Sequence, residues 1–243
     1  MIVRDYLDLT RRLPLATLSE LTQDEPFVIL SPHPDDETLG AGGLIRQACA
    51  KGQHVEVIVL TDGAGSHTQS IEYPTSRLIQ VRRQEVADAA TILGMPADYL
   101  HHLDLPDAHM PTSGPVFEKT VQFVRSLVER IGAKTLFVTW HHDPHCDHKA
   151  AAAVAQATKR KLPTLKLWAY PIWGWHLHPA EDMGAAPEGF RLDIVHEADA
   201  KRRAIAAHQS QMTDLIQDDP KGFRFNADTL APFLAPFEVF YSA

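Results

Sequence analysis

Phe27-Val-Ile-Leu-Ser-Pro-His-Pro-Asp-Asp-Glu-Thr38 is the stretch on which the reading of this chain turns. Its apolar run, Phe27 to Leu30, predicts a short buried strand over 26–31. A histidine and three acids then crowd the five positions from His33 to Glu37, ahead of a small-residue segment of helical spacing, Leu39 to Ala50. The acids therefore sit on a strand-to-helix turn, where free N–H groups and the helix dipole favour carboxylates. A His with a carboxylate three residues on can converge on one metal ion, because a tight turn folds both toward a common point. The competing reading is an ordinary helix cap at Asp36 or Thr38. Proline on both sides of His33 and two adjacent aspartates weigh against it.

A second cluster, His141-His-Asp-Pro-His-Cys-Asp-His148, follows another apolar run, Thr135 to Trp140, and precedes an Ala-rich helix from Lys149. Four histidines and two aspartates in eight residues are hard to explain by packing. The two clusters read as one metal site assembled from two strand ends.

Further strands are predicted at His54–Leu60, Tyr99–Leu105, Leu165–Tyr170 and Phe190–Val195. Helices fill the intervals, one of them marked by Phe117, Val121, Val124, Leu127, Val128 and Ile131 and closed by Gly132. The last helix is predicted over 198–215. Alternation of this kind gives an α/β fold, a Rossmann-like three-layer sandwich with a mainly parallel sheet. With the common strand order 3-2-1-4-5, strands one and four are neighbours at the switch point, and both clusters lie at their C-terminal ends, where ligands bind. The G-x-G-x-x-G turn of dinucleotide sites is absent, since Pro-His-Pro-Asp occupies its place. Gly63-Ala-Gly65 reads as loop chemistry. His101 and His102, on opposite faces of a strand, read as structural. We expect one domain over 1–243, with an N-terminal arm at 1–25 and a capping tail at 216–243.

Of the 243 residues, 44% are hydrophobic and 22% charged, enough for one α/β core. The net charge of −8 argues against a nucleic-acid groove. Two cysteines, Cys49 and Cys146, offer no disulfide framework. The N-terminus does not read as a signal peptide, and no segment reaches the ~18 continuous apolar residues of a membrane span. The cytoplasm is the expected compartment, and a homo-oligomer is compatible with the sequence.

The pairing of His33-Pro-Asp-Asp-Glu37 with His145-Cys-Asp-His148 resembles the PIG-L/LmbE-like family of zinc-dependent N-deacetylases. Thr61-Asp-Gly63, the helix pattern of Arg82, Glu85, Ala89 and Leu93-Gly94, Leu105-Pro-Asp107, and Ala204 to Gln211 are similar to further family features. The likeness runs from about residue 27 to about 212; Ala108 stands where the family often has glycine. The resemblance implies that His33, Asp36 and His148 bind one Zn2+ per chain, with Fe2+ as the other candidate. It leaves a coordination position for water. Asp35 is then the general base. His145 stabilises the oxyanion or protonates the leaving amine, Asp147 orients His145, and Arg82 binds substrate. His141 and His142 are rival ligands, and His208 is either close behind the site or a core histidine. Among Trp140, Tyr170, Trp173 and Trp175, most are expected to pack in the core or a lid, with one or two free to stack on a sugar.

The reaction implied is removal of an N-acetyl group from an acetylated amino sugar or sugar conjugate. The substrate is thus a small N-acylated molecule, with specificity expected in loops 63–76, 106–115 and 173–189. Competing readings are an amidase on a non-sugar N-acyl substrate, an iron oxygenase, and a non-catalytic metal- or nucleotide-binding module.

Overall fold

In the computed structural model, which describes residues 1–243, the chain runs in this order. It begins with α1 (Val3–Thr10), β1 (Leu15–Ala16), α2 (Leu18–Thr22), β2 (Phe27–Ser31), α3 (Asp36–Ala50) and β3 (Val55–Thr61). It continues with α4 (Thr75–Leu93), β4 (Leu100–Leu105), α5 (Gly114–Ile131), β5 (Thr135–Thr139), α6 (Cys146–Lys161) and β6 (Lys166–Tyr170). β7 (Gly189–Asp193), α7 (Ala198–Ala207), α8 (Gln209–Met212), α9 (Ala227–Leu230) and β8 (Phe237–Ser242) complete it. The strands form one sheet in the order β1-β7-β8-β6-β5-β2-β3-β4. Its β4-β3-β2-β5-β6 half is the predicted 3-2-1-4-5 arrangement, parallel throughout.

Period-two geometry divides the apolar strands between two cores. Phe27, Ile29, Val57 and Phe137 face one side, under α3, α4 and α7. Val28, Leu30, Ile58 and Leu136 face the other, under α5 and α6. Both faces of the parallel half are therefore covered, which is why its strands read as continuous apolar runs.

The ends of the chain depart from expectation. The N-terminal arm contributes the edge strand β1, paired parallel to β7. The segment 216–243 is more than a cap: its last strand, β8, lies inside the sheet, antiparallel to both β6 and β7. Glu238 and two prolines, Pro232 and Pro236, hide that strand in the sequence. The buried Glu238 carboxylate accepts the N–H groups of Gly43 (2.6 Å) and Leu44 (2.9 Å) and pairs with Lys201 Nζ at 2.7 Å. Those N–H groups are freed by a kink in α3, where Ala41 has φ −140°. Glu238 thus caps the second half of α3 and ties the chain's last strand to the helix that carries the first cluster. Gly40, one residue before the kink, lies so close to the Tyr170 ring that a Cβ would stand 2.1 Å from it.

The two cluster-bearing helices begin earlier than periodicity suggested, at Asp36 rather than Leu39 and at Cys146 rather than Lys149. The first turn of each is built from the site's own polar residues, which carry no apolar signal.

Candidate metal centre and active site

β2 and β5 are hydrogen-bonded neighbours, so the turns beyond their C-terminal ends meet. Three side-chain atoms converge there. His33 Nδ1 lies 3.1 Å from Asp36 Oδ2, His148 Nε2 lies 3.2 Å from the same oxygen, and the two ring nitrogens are 3.2 Å apart. Four-coordinate zinc at about 2.0–2.1 Å from its ligands separates them by about 3.4 Å. Two imidazole nitrogens and a carboxylate oxygen nearly in that spacing can hold a divalent ion. His145 joins His33 and His148 in one group of mutually close donor atoms.

The far side of each imidazole is fixed by an acid, the arrangement that sets which nitrogen is free to ligate. His33 Nε2 lies 3.2 Å from Asp107 Oδ1 and 3.2 Å from Asp147 Oδ2. His148 Nδ1 lies 2.8 Å from Asp143 Oδ2. Asp143 is fully buried and also accepts the backbone N–H groups of Ile172 (3.0 Å), Trp173 (3.1 Å) and Gly174 (2.6 Å). Sequence reasoning passed over Asp143. Its position, five residues before His148 across a tight turn, gave no periodic signal.

The acids around the two rings favour positive charge at the cluster. Burial depresses the pKa of His33, but hydrogen bonds to Asp107, Asp147 and Asp36 outweigh it and carry the ring well above its ordinary range. Burial also opposes protonation of His148, yet Asp36 and Asp143 lift it to about 9. Burial would raise Asp36, and the two imidazoles instead hold it far below the usual carboxylate range. Without a metal the acids are balanced by protons on the rings; a divalent ion would displace those protons.

Asp35, next to a donor, takes no part in the cluster. Burial raises its carboxyl to about 8, against the pull of the Arg82 guanidinium. Arg82 is not a surface helix cation. It is 3% exposed; it reaches Asp35 Oδ2 at 3.1 Å and donates to the carbonyls of Gly63 (2.8 Å) and Pro34 (3.1 Å). Its neighbour Arg83 is at the surface, paired with Asp104.

Asp147 does not orient His145 through its carboxylate as expected. That group binds His33 and accepts the N–H of Ala108 (2.7 Å) and Met110 (3.0 Å). What reaches His145 is the Asp147 backbone N–H, which donates to Nδ1 at 3.2 Å. Burial lowers the His145 pKa and so favours the neutral ring, and the N–H accepted at Nδ1 leaves Nε2 to carry its proton. Ala108 holds φ +63°, a left-handed conformation that glycine adopts without strain, which accounts for the residue type expected there.

The rival ligands His141 and His142 are exposed and lie against one another, with ring centroids 3.9 Å apart and planes tilted by 45°. His101 bonds to Glu56 at 2.6 Å, away from the site. His208 is buried, its Nε2 3.2 Å from Thr38 Oγ1. Cys146 is exposed, with Sγ 3.4 Å from the Ala108 carbonyl oxygen, and Cys49 is half-buried.

Above the cluster lies a cavity of about 230 Å³ lined by His33, Asp35, Asp36, Arg82, Asp107 and His145 on its polar side. Gly65, Ser66, Ala108 and Trp173 come from the three loops in which specificity was expected. Gln211, Phe223 and Phe225 do not. The last two belong to the C-terminal segment, and only the fold brings them here.

Against known proteins, the family described as PIG-L: GlcNAc-PI de-N-acetylase matches residues 28–159. The chain belongs to this family. It is accordingly a deacetylase-type hydrolase, and the matched span contains every residue of the donor cluster. The chain is 28% identical over 203 residues to diacetylchitobiose deacetylase from Thermococcus kodakarensis, covering 79% of this chain and 74% of that protein. It is 25% identical to 1D-myo-inositol 2-acetamido-2-deoxy-alpha-D-glucopyranoside deacetylase from Mycolicibacterium smegmatis, covering 86% and 87% of the two. Its fold matches the solved N,N'-diacetylchitobiose deacetylase from Pyrococcus horikoshii with a TM-score of 0.61 at 21% identity, over 86% of this chain and 75% of that one. No helix of this PIG-L family member is long and apolar enough to cross a membrane.

Proposed function

We propose that this chain is a zinc-dependent N-deacetylase acting on a small N-acetylated amino sugar or sugar conjugate. The observation that carries the reading is the triangle of His33 Nδ1, Asp36 Oδ2 and His148 Nε2 with 3.1–3.2 Å sides, two of whose members, His33 and Asp36, line a cavity that also presents Asp35. The names of the two relatives support the amino-sugar class. When bound, the ion supplies Lewis-acid polarisation of the amide carbonyl and acidifies water.

The chain's own residues do the rest. Asp35 takes the proton of the attacking water, whose oxygen bonds to the acyl carbon. It then returns that proton to the amide nitrogen as the C–N bond breaks, releasing acetate and free amine. Arg82 draws the Asp35 carboxyl down against burial and aims it, because the guanidinium is anchored on two carbonyls as well. His145, with Nδ1 accepting from Asp147 N–H, offers Nε2–H to the oxyanion that forms on the substrate. Of the two roles expected of His145, oxyanion donor is the one its neutral state favours. Asp107, Asp147 and Asp143 fix the imidazoles. An oxygenase has no use for the Asp35–Arg82 pair. Both cysteines are free, which fits a reducing compartment, and we place the reaction in the cytoplasm.

The test is release of acetate and free amine by zinc-loaded protein from a panel of N-acetylhexosaminides and of non-sugar N-acetyl amines. Turnover of the sugars, abolished by chelation and restored by zinc, is expected. Turnover confined to non-sugar amines would move the substrate class; no release from any member would overturn the reaction.

A further inference from the structure

The cavity has two unlike walls. One is the polar side already described. The other is aromatic, made by Trp173, just after β6, and by Phe223 and Phe225 of the C-terminal segment. Phe225 is 5% exposed and stacks on Trp173 with centroids 5.4 Å apart and planes 2° from parallel. Phe223 stands edge-on to Trp173 (5.5 Å, 85°) and to Phe225 (4.9 Å, 84°). Phe225 is therefore backing, and the two partly exposed rings, Trp173 and Phe223, face the cavity.

The segment is tied in place. Phe223 N donates to Ser66 O at 2.8 Å, and Phe225 N to Gln211 O at 2.9 Å. Asp218 accepts the N–H groups of Ile71 (2.7 Å) and Glu72 (2.9 Å), and Asp219 that of Gln69 (2.8 Å). Gly222 lies against the His67 ring, where a Cβ would stand 2.2 Å from a carbon. The aromatic wall and the loop after β3 form one fixed surface.

The polar side is already engaged: Arg82 holds Asp35 and two carbonyls, and His33 and Asp36 belong to the donor triangle. At about 230 Å³ the cavity is smaller than the ~300–1,000 Å³ of sites for drug-sized ligands. That suits one sugar ring.

We propose that Trp173 and Phe223, backed by Phe225, form a stacking wall for the C–H face of one hexosamine ring. This rests on the deacetylase reading of the same site. Aromatic faces attract polarised C–H groups as they do ring edges.

The experiment measures binding and turnover side by side. Binding of N-acetylglucosamine to the zinc-loaded protein is followed by tryptophan fluorescence, with Trp173→Phe identifying the reporter. Phe223→Leu should raise both Kd and KM for the neutral sugar about 3–10-fold, the size of one aromatic contact. The loss should fall on KM rather than kcat, and Phe223→Tyr should restore binding. Turnover with Phe223→Leu unchanged in KM overturns the wall and leaves the reaction standing. Phe223-dependent binding without acetate release upholds the wall and overturns the reaction. No binding and no turnover of the sugar overturns both.

Discussion

Asp143 Oδ2 sits 2.8 Å from His148 Nδ1, and neither side chain is exposed to solvent. The same carboxylate gathers three backbone N–H groups from the turn after β6, so strand six and the second cluster share one anchor. Asp143→Asn removes the charge that fixes His148 with Nε2 toward the donor triangle. The expected result is a loss of metal affinity of about 10–100-fold, read by competition with a chelator. Undiminished affinity would show that the ring is held by packing alone.

Asp35 and Asp36 are neighbours with different tasks. Asp36→Ala should lose tightly held metal, because it removes one corner of the triangle. Asp35→Ala should keep about one ion per chain and lose about 10²–10⁴ in kcat, the worth of a positioned base. Metal content and kcat measured together on the two variants decide the assignment; a metal-free Asp35→Ala protein would count against it.

Arg82 ties the rate to pH. The guanidinium opposes the upward push of burial on Asp35, so removing it raises that carboxyl further. A base must be ionised to act, so the acidic limb of the kcat/KM profile should move to higher pH in Arg82→Met. The expected displacement is about 1–3 units, the usual effect of a guanidinium beside an aspartate. A limb that stays in place would detach Asp35 from the rate.

His208 bears on stability. Burial lowers its pKa to about 3, against about 6.5 unfolded. Below about pH 6.5 the unfolded chain takes up a proton that the folded chain refuses. Stability from this group is full above that pH and falls as the pH drops toward 3, by up to about 1.4 kcal/mol per unit. His33 and His148, shifted upward, act in the opposite sense. They are common to both proteins compared and cancel in the difference. Urea unfolding of wild type and His208→Gln between pH 7.5 and 5 should show a shallower loss in the variant. Parallel slopes would mean that His208 does not titrate with unfolding.

By itself the sequence determined the parallel half of the sheet and the meeting of the two polar clusters at neighbouring strand ends; the choice of His33, Asp36 and His148 among their members came from the family resemblance. Phe27 to Leu30 and Thr135 to Thr139 are short apolar runs between polar turns, and the local chain dictates the turn at the end of each. His33 and Asp36 lie on one tight turn, and His148 opens a helix whose strand pairs with the first. Local pattern suffices where the residues that act together are close in sequence or sit at the ends of adjacent strands. Tertiary structure decided the rest. The roles of Asp143 and Asp147 depend on which ring each meets, and a one-residue difference on an irregular turn sends Asp147's carboxylate to His33 rather than His145. β8 enters the sheet because Glu238, polar in sequence, finds Gly43, Leu44 and Lys201 at a kink. Phe223 and Phe225 reach the cavity through backbone bonds to Ser66 and Gln211. Contacts that span 145 residues or more, such as Gln211 to Ser66 and Glu238 to Gly43, are set by how the sheet folds the chain back on itself, and no local periodicity records them.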